Sequence, residues 1–226
     1  MLKLGPILLA VIYGLISYRF SVWRLHRTLD SQSQPLVDPS LSPMLTKLAQ
    51  ALDQDRVMVH LYEIEPVNGL AAPDGRIFIT RGFYNKYLSG EVTAQELASV
   101  IAHELGHVAL GHTRRRMIDF TGQNAIRTAA TMILGRLIPG VGPMIAGLMG
   151  RVLMAKLSRN DEFEADAYAT AMMLQAGLDP TAQTSLLGKL ETLTQSGPTP
   201  PAWLMSHPKT PDRIAAIQRN LEKWRN

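Results

Sequence analysis

The hydrophobic pattern divides the chain into an apolar start, a short alternating stretch and a long helical remainder. Leu4 to Tyr18 is uncharged and mostly apolar, with Lys3 before it and Arg19, Arg24 and Arg27 after it. Ser31 to Pro43 is rich in Ser, Gln and Pro and reads as a linker. From Pro43 to Asp53, Leu45, Leu48, Ala49 and Leu52 recur at helical spacing. Val57 to Ile64 alternates as a strand, with Val57, Val59 and Leu61 on one face and His60, an ordinary strand residue, on the other. Asn68 to Gly82 reads as strand, turn and strand: Pro73-Asp74-Gly75 is turn chemistry, and Arg76 to Thr80 is the second strand. Phe83 to Leu88 is a short helix. Thr93 to about Arg114 is a longer one, with Leu97, Val100, Ile101, Leu105 and Val108 along its apolar face. Thr93 and Glu96 form a capping box at its start.

Beyond Arg116 the pattern changes. Ala129 to Gly150 is strongly apolar and is interrupted by Arg136 and by Pro139-Gly-Val-Gly-Pro143. It reads as two apolar helical pieces around a hinge: a lid over a cleft, a segment dipping into a membrane surface, or part of the core. A helix then begins near Ser158 and stops at Gly177, with Pro180 preventing continuation. Asp179-Pro180 opens another helix to about Leu193. Thr194 to Pro201 is a loop. The last helix is amphipathic through Ile214, Ile217, Leu221 and Trp224.

The apolar start is short for a membrane. Fifteen helical residues reach about 22 Å, against a hydrocarbon core of about 30 Å. Snorkelling by Lys3 and Arg19, with Tyr18 and Trp23 at the interface, closes that gap. Residues 1–30 are therefore expected to be a membrane anchor. The alternatives are a cleaved signal segment, which would make the protein exported or periplasmic, and a buried N-terminal helix. No A-x-A-like cleavage site is evident, which favours the anchor. The arginines after the segment favour a cytoplasmic domain by the positive-inside rule.

Composition narrows the chemistry. The chain has 226 residues, a 46% hydrophobic content and no cysteine. That is enough for one sizeable domain, and it excludes disulfides, thiolate metal sites and cysteine nucleophiles. Any metal must be held by His, Asp or Glu. The net charge of +4 is modest. Basic residues cluster only at Arg114-Arg115-Arg116, so no nucleic-acid partner is expected.

One pattern stands out against that background. His103-Glu104-Leu105-Gly106-His107 falls inside the well-capped helix. Residues four apart share a helix face, so both imidazoles project together. Two neutral imidazoles suit zinc, and Glu104 can sit beside a bound water. Gly106 costs about 1 kcal/mol relative to alanine in a helix, so a backbone passing close by is expected there. A catalytic zinc needs a third protein ligand. On a continuous helix His112 points away, and it is expected to cap the helix end. On the acidic helix Glu162 and Asp166 are four apart and share a face. One carboxylate there can bind the metal while the other orients a ligating imidazole; Asp161 and Glu164 compete for these roles.

These residues resemble the membrane-associated zinc metallopeptidases that include HtpX and the CAAX prenyl proteases. The likeness covers roughly Val67 to Arg213. It rests on Val67-Asn-Gly-Leu-Ala-Ala-Pro-Asp-Gly75, on His103-Glu104-x-x-His107, on Glu162-Phe-Glu-Ala-Asp166 after Ser158-Arg159, and on His207-Pro with Arg213. The resemblance implies His103, His107 and Glu162 as ligands to one Zn2+ per chain, with Glu104 as general base. It implies Asp166 behind an imidazole and His207 and Arg213 near the cleft, where either can stabilise an oxyanion. It also implies Asn68, Gly69, Leu70 and Ala71 as an edge strand that pairs with an extended substrate.

The expected fold is α+β: a mostly helical zincin-type metalloprotease domain over 31–226, with a small sheet and an N-terminal apolar helix. The expected activity is zinc-dependent endopeptidase, acting on polypeptides in protein quality control at a membrane. The alternative is a membrane-tethered, chaperone-like polypeptide binder that rarely cuts.

Overall fold

The computed structural model describes residues 4–116, 142–196, 202–207 and 211–225. The fold is α+β: among the described residues helices dominate and four short strands form one sheet.

Helix α1 (Leu4–Gln32) runs well past Tyr18. Its last turns dock on the sheet: Leu29 is buried against Phe78 and Ala72, with Leu25 beside them. Arg76 ties the same end down through Asp30 at 2.6 Å. The end of the segment expected as an anchor is thus packed against the folded domain. Arg19, Arg24, Arg27 and Asp30 lie within this helix, and among the described residues no helix is long and apolar enough to cross a membrane.

The expected linker is also partly structured. Ser33–Pro35 forms strand β1, antiparallel to β2 (Val59–Tyr62), with Pro35 opposite His60. Proline is tolerated there because β1 lies at the sheet edge. Strand β3 (Gly69–Ala71) and strand β4 (Ile77–Thr80) form a hairpin, and β4 pairs in parallel with β2. The order across the sheet is β1-β2-β4-β3. Every residue of β4 is buried because both sheet faces are covered. Side chains alternate along a strand. Ile77 and Ile79 therefore enter the main core, whereas Phe78 meets α1 on the other face. His60 stacks on Phe78 on that second face, as an ordinary strand residue.

Helix α2 (Ser42–Ala51) buries Leu48 and Ala49. Helix α3 (Arg81–Leu88) starts on Thr80, whose hydroxyl accepts from the Phe83 amide. At Gly82 a Cβ would lie 1.7 Å from the carbonyl oxygen of Glu65, so only glycine fits. Helix α4 (Ala94–Ala109) has the expected capping box: the Thr93 hydroxyl accepts from the Glu96 amide, and the Glu96 carboxylate accepts from the Thr93 amide. Glu96 also takes Lys189 Nζ at 2.8 Å and the Ser185 hydroxyl at 2.6 Å, so the buried carboxylate is satisfied.

Two helix boundaries differ from expectation. Helix α4 stops at Ala109 instead of continuing to Arg114. Gly111 takes a left-handed φ of +69°, and the chain resumes a helical turn over residues 112–116. Glycine enters that region without steric cost. Helix α5 (Gly142–Gln175) is one helix, with no start at Ser158. Residues 117–141, and the side chains of 142–158, lie outside the described residues, and the lid or membrane reading of 129–150 falls largely there. Gly177 ends α5 as expected, with a φ of +62°. Helices α6 (Ala182–Ser196), α7 (Ala202–Ser206) and α8 (Pro211–Arg225) complete the fold. Helix α7 was not expected from the sequence; most of the loop predicted before it lies outside the described residues.

The core sits between the sheet and α4 on one side and α5, α6 and α8 on the other. At Gly106 a Cβ would approach the Ala165 carbonyl oxygen to 3.1 Å and its Cα to 3.2 Å. The close backbone expected at this glycine is therefore α5, and the contact brings the acidic helix against the two histidines.

Candidate metal centre

Helix α4 presents His103 and His107 on the face that meets α5. Their Nε2 atoms are 3.1 Å apart. From α5, Glu162 points its carboxylate at the same spot: Oε2 is 3.4 Å from His103 Nε2, and Oε1 is 3.5 Å from His107 Nε2. His207, just after α7, adds Nδ1 at 3.3 Å from His103 Nε2 and 2.9 Å from Glu162 Oε2. All four side chains are buried.

This donor set fits a metal ion. Tetrahedral zinc with bonds of about 2.0–2.1 Å places its ligand atoms about 3.3 Å apart. The donor spacings here cluster around that value, and the four atoms lie within 4.8 Å of one another. Three imidazole nitrogens and a carboxylate meeting in a buried space are hard to satisfy by hydrogen bonds alone, because each neutral imidazole has a single N–H to give. An electrophilic ion satisfies all four.

The carboxylates of α5 divide their work by direction. Asp166 Oδ1 lies 3.0 Å from His103 Nδ1, on the side of the ring away from the donor cluster. Arg213 grips that carboxylate with two bonds, Nε to Oδ2 and Nη2 to Oδ1, both 2.7 Å. The same guanidinium reaches the His207 carbonyl oxygen and Glu162 Oε2, each at 3.3 Å. Arg213 thus lies behind the donors, buried among carboxylates. Asp161 turns away from the donor cluster and binds Arg115 and Arg116. Glu164 is exposed at 55% and meets His112.

Glu104 is not among the converging donors. Its Oε1 accepts from the Trp203 indole N–H at 3.4 Å and lies 3.4 Å from His207 Nε2. Strand β3 passes beside it: a Cβ on Gly69 would sit 3.8 Å from Glu104 Cγ. The main chain of Asn68 is fixed by the Thr80 hydroxyl, which accepts from its amide and donates to its carbonyl oxygen, both at 2.9 Å. Leu70 and Ala71 follow on the strand and pair with β4 on one side.

Electrostatics follow the packing. Burial opposes charge on His103, but Asp166 and Glu162 outweigh it and hold its pKa up at about 9. Burial and the neighbouring His103 push His107 far below the usual imidazole range. Burial raises the carboxyl pKa of Glu162, yet the hydrogen bonds from His103 and His207 win and hold it well below the usual range. Asp166 is likewise lowered, with Arg213 outweighing burial.

Two features depart from the sequence reading. His207 was expected near the cleft, and the structure puts its Nδ1 within the donor cluster. His112 was expected to point away and cap the helix. Its ring is instead fully buried, with Nδ1 3.0 Å from His107 Nδ1. The Leu110-Gly111 pair is the signal that could have found this: a left-handed glycine ends the helix, and the next residue need not follow its direction.

A buried His-Glu donor cluster on paired helices, with a carboxylate beside it, is an arrangement suited to a zinc-dependent metallopeptidase. Comparison with known proteins gives the family. The model of peptidase family M48 matches residues 32–221, and the chain belongs to that family. It is 27% identical to metalloprotease LoiP of Escherichia coli over 92% of this chain and 88% of that protein. It is 27% identical to the beta-barrel assembly-enhancing protease of Yersinia pestis over 85% of this chain, spanning 42% of that longer relative. The human mitochondrial metalloendopeptidase OMA1 is 24% identical over 74% of this chain and 33% of its own length. The chain is a metalloendopeptidase of a zinc-dependent family, with polypeptides as its substrates.

Proposed function

We propose that the protein is an endopeptidase that cleaves extended polypeptide segments, with one zinc held by His103, His107 and Glu162 and with Glu104 as general base. The observation that carries this reading is the meeting of those three donors at one buried point with the Glu104 carboxylate alongside. Bound zinc supplies Lewis acidity, lowering the pKa of a water to about 7 and polarising the scissile carbonyl. Glu104 takes the proton of the attacking water and delivers it to the leaving amine. The Trp203 indole N–H holds one oxygen of Glu104, which orients the carboxylate for both transfers. Strand β3, from Gly69 to Ala71, lies beside Glu104 and pairs with a substrate strand through its backbone.

His207 stands beside both the donors and the base, with Nδ1 2.9 Å from Glu162 Oε2 and Nε2 3.4 Å from Glu104 Oε1, from where its imidazole would donate to the oxygen of the scissile carbonyl. Arg213 acts from behind, by fixing Asp166 and the His207 backbone. The relative named for β-barrel assembly directs the substrate class toward polypeptides of that process, and so toward protein quality control.

Cleavage of an unfolded polypeptide such as casein tests the reading. Hydrolysis is expected to stop with a chelator and to return with added zinc. Hydrolysis that persists in a metal-free preparation would contradict it.

A further inference from the structure

The two imidazoles of the metal centre are held differently, and only one support is accounted for by the roles above. His103 has Asp166 behind it. His107 has His112, which comes from the helical turn after Gly111. With His107 taken as a zinc donor, as proposed above, its Nε2 faces the metal, so its proton sits on Nδ1. That Nδ1 is 3.0 Å from His112 Nδ1, and one of the two must accept. His107 donates and His112 accepts. The neutral His112 ring then carries its proton on Nε2, which lies 3.0 Å from Glu164 Oε2. A single choice of tautomers satisfies every contact from the donor cluster to the exposed carboxylate.

We propose that His112 is a positioning residue for the metal donor His107, and that Glu164 anchors His112 from the surface. The pair fixes the His107 ring, sets its tautomer and increases the electron density at Nε2. Metal-bound histidines characteristically give their second N–H to such a partner, and its loss costs about 10–100-fold in metal affinity. His112, Asp161 and Glu164 could also suggest a second cation site, since their ligand atoms lie within 4.8 Å of one another. Two guanidiniums already on Asp161, from Arg115 and Arg116, oppose a cation there.

The test is zinc affinity of the full-length chain, measured by competition with a chromogenic chelator, with the cobalt(II) absorption spectrum as a second readout. His112→Phe keeps a ring and removes the acceptor; zinc should bind about 10–100-fold more weakly and the cobalt spectrum should shift. His112→Asn places an amide oxygen near the lost Nδ1 and should recover most of the loss. Glu164→Gln, on an exposed side chain, should weaken binding by less than about tenfold. Unchanged zinc affinity and an unchanged cobalt spectrum in His112→Phe would overturn the proposal. So would a His112→Asn variant no better than His112→Phe. Should His112→Phe fail to fold, Glu164→Ala decides, because it removes the acceptor of the His112 Nε2 proton altogether: wild-type affinity there overturns the role. His107→Ala separates this from the underlying assignment, because zinc retained in that variant removes His107 as a donor altogether.

Discussion

His103 and His107 face the same point from the same helix, yet they are braced in opposite ways. Behind His103 lies a closed, charged pair: Asp166 and Arg213 are both buried and joined by two short hydrogen bonds. Behind His107 lies a second imidazole, His112, which leads out to the exposed Glu164. The first brace is part of the core, since Arg213 also ties α8 to α5 and to the backbone of His207. The second is a surface arm that reaches the site only because Gly111 bends the chain back. One support therefore serves fold and site together, whereas the other serves the site at little cost to the fold.

Breaking the closed brace should have the largest effect on stability. Asp166→Ala leaves the Arg213 guanidinium buried without its main partner, which typically costs about 3–5 kcal/mol. Urea unfolding of the metal-free protein should show that loss. A change under about 1 kcal/mol would mean that Glu162 alone satisfies Arg213.

The spacing between the braces is set by Gly106, which lies between the two histidines. Gly106→Ala puts a methyl 3.1 Å from the Ala165 carbonyl oxygen. Overpacking of this kind costs about 1–3 kcal/mol, offset by about 1 kcal/mol of helix propensity. A modest net loss in thermal stability should come with weaker zinc binding, because α5 carries Glu162. Unchanged zinc affinity would show that the contact relaxes without moving the donors.

The smallest effect on stability belongs to the open brace. Glu164→Gln should change unfolding free energy by no more than about 0.5 kcal/mol, the usual range for an exposed substitution. A larger loss in the metal-free protein would make Glu164 a structural residue and erase the contrast between the two sides.

The same contrast explains what could be read from the amino-acid sequence. Helix α4 was legible because its signals are local: a capping box, a helical apolar period and two histidines four apart. Glu162 and Asp166 were legible as a pair on one face, and the structure turns Glu162 toward the imidazole Nε2 atoms and Asp166 toward His103 Nδ1. Strand β1 was not legible, because three residues ending in proline become a strand only by pairing with β2. The arrival of His207 in the donor cluster depends on how α7 and α8 pack, which no local pattern encodes. His112 was misplaced by extending α4 through Gly111, where a left-handed residue redirects the chain. The apolar start lies in a helix as expected, but the docking of that helix's charged second half on the sheet is a tertiary contact that hydropathy does not encode.

In the proposed site His103, His107 and Glu162 hold the metal while Glu104 carries the proton. Zinc content and peptide hydrolysis, measured side by side on Glu104→Gln, test this most directly. The variant keeps size and removes proton acceptance, so zinc should remain at one per chain while turnover falls by about 10²-fold or more. Hydrolysis at the wild-type rate with zinc in place would contradict the account.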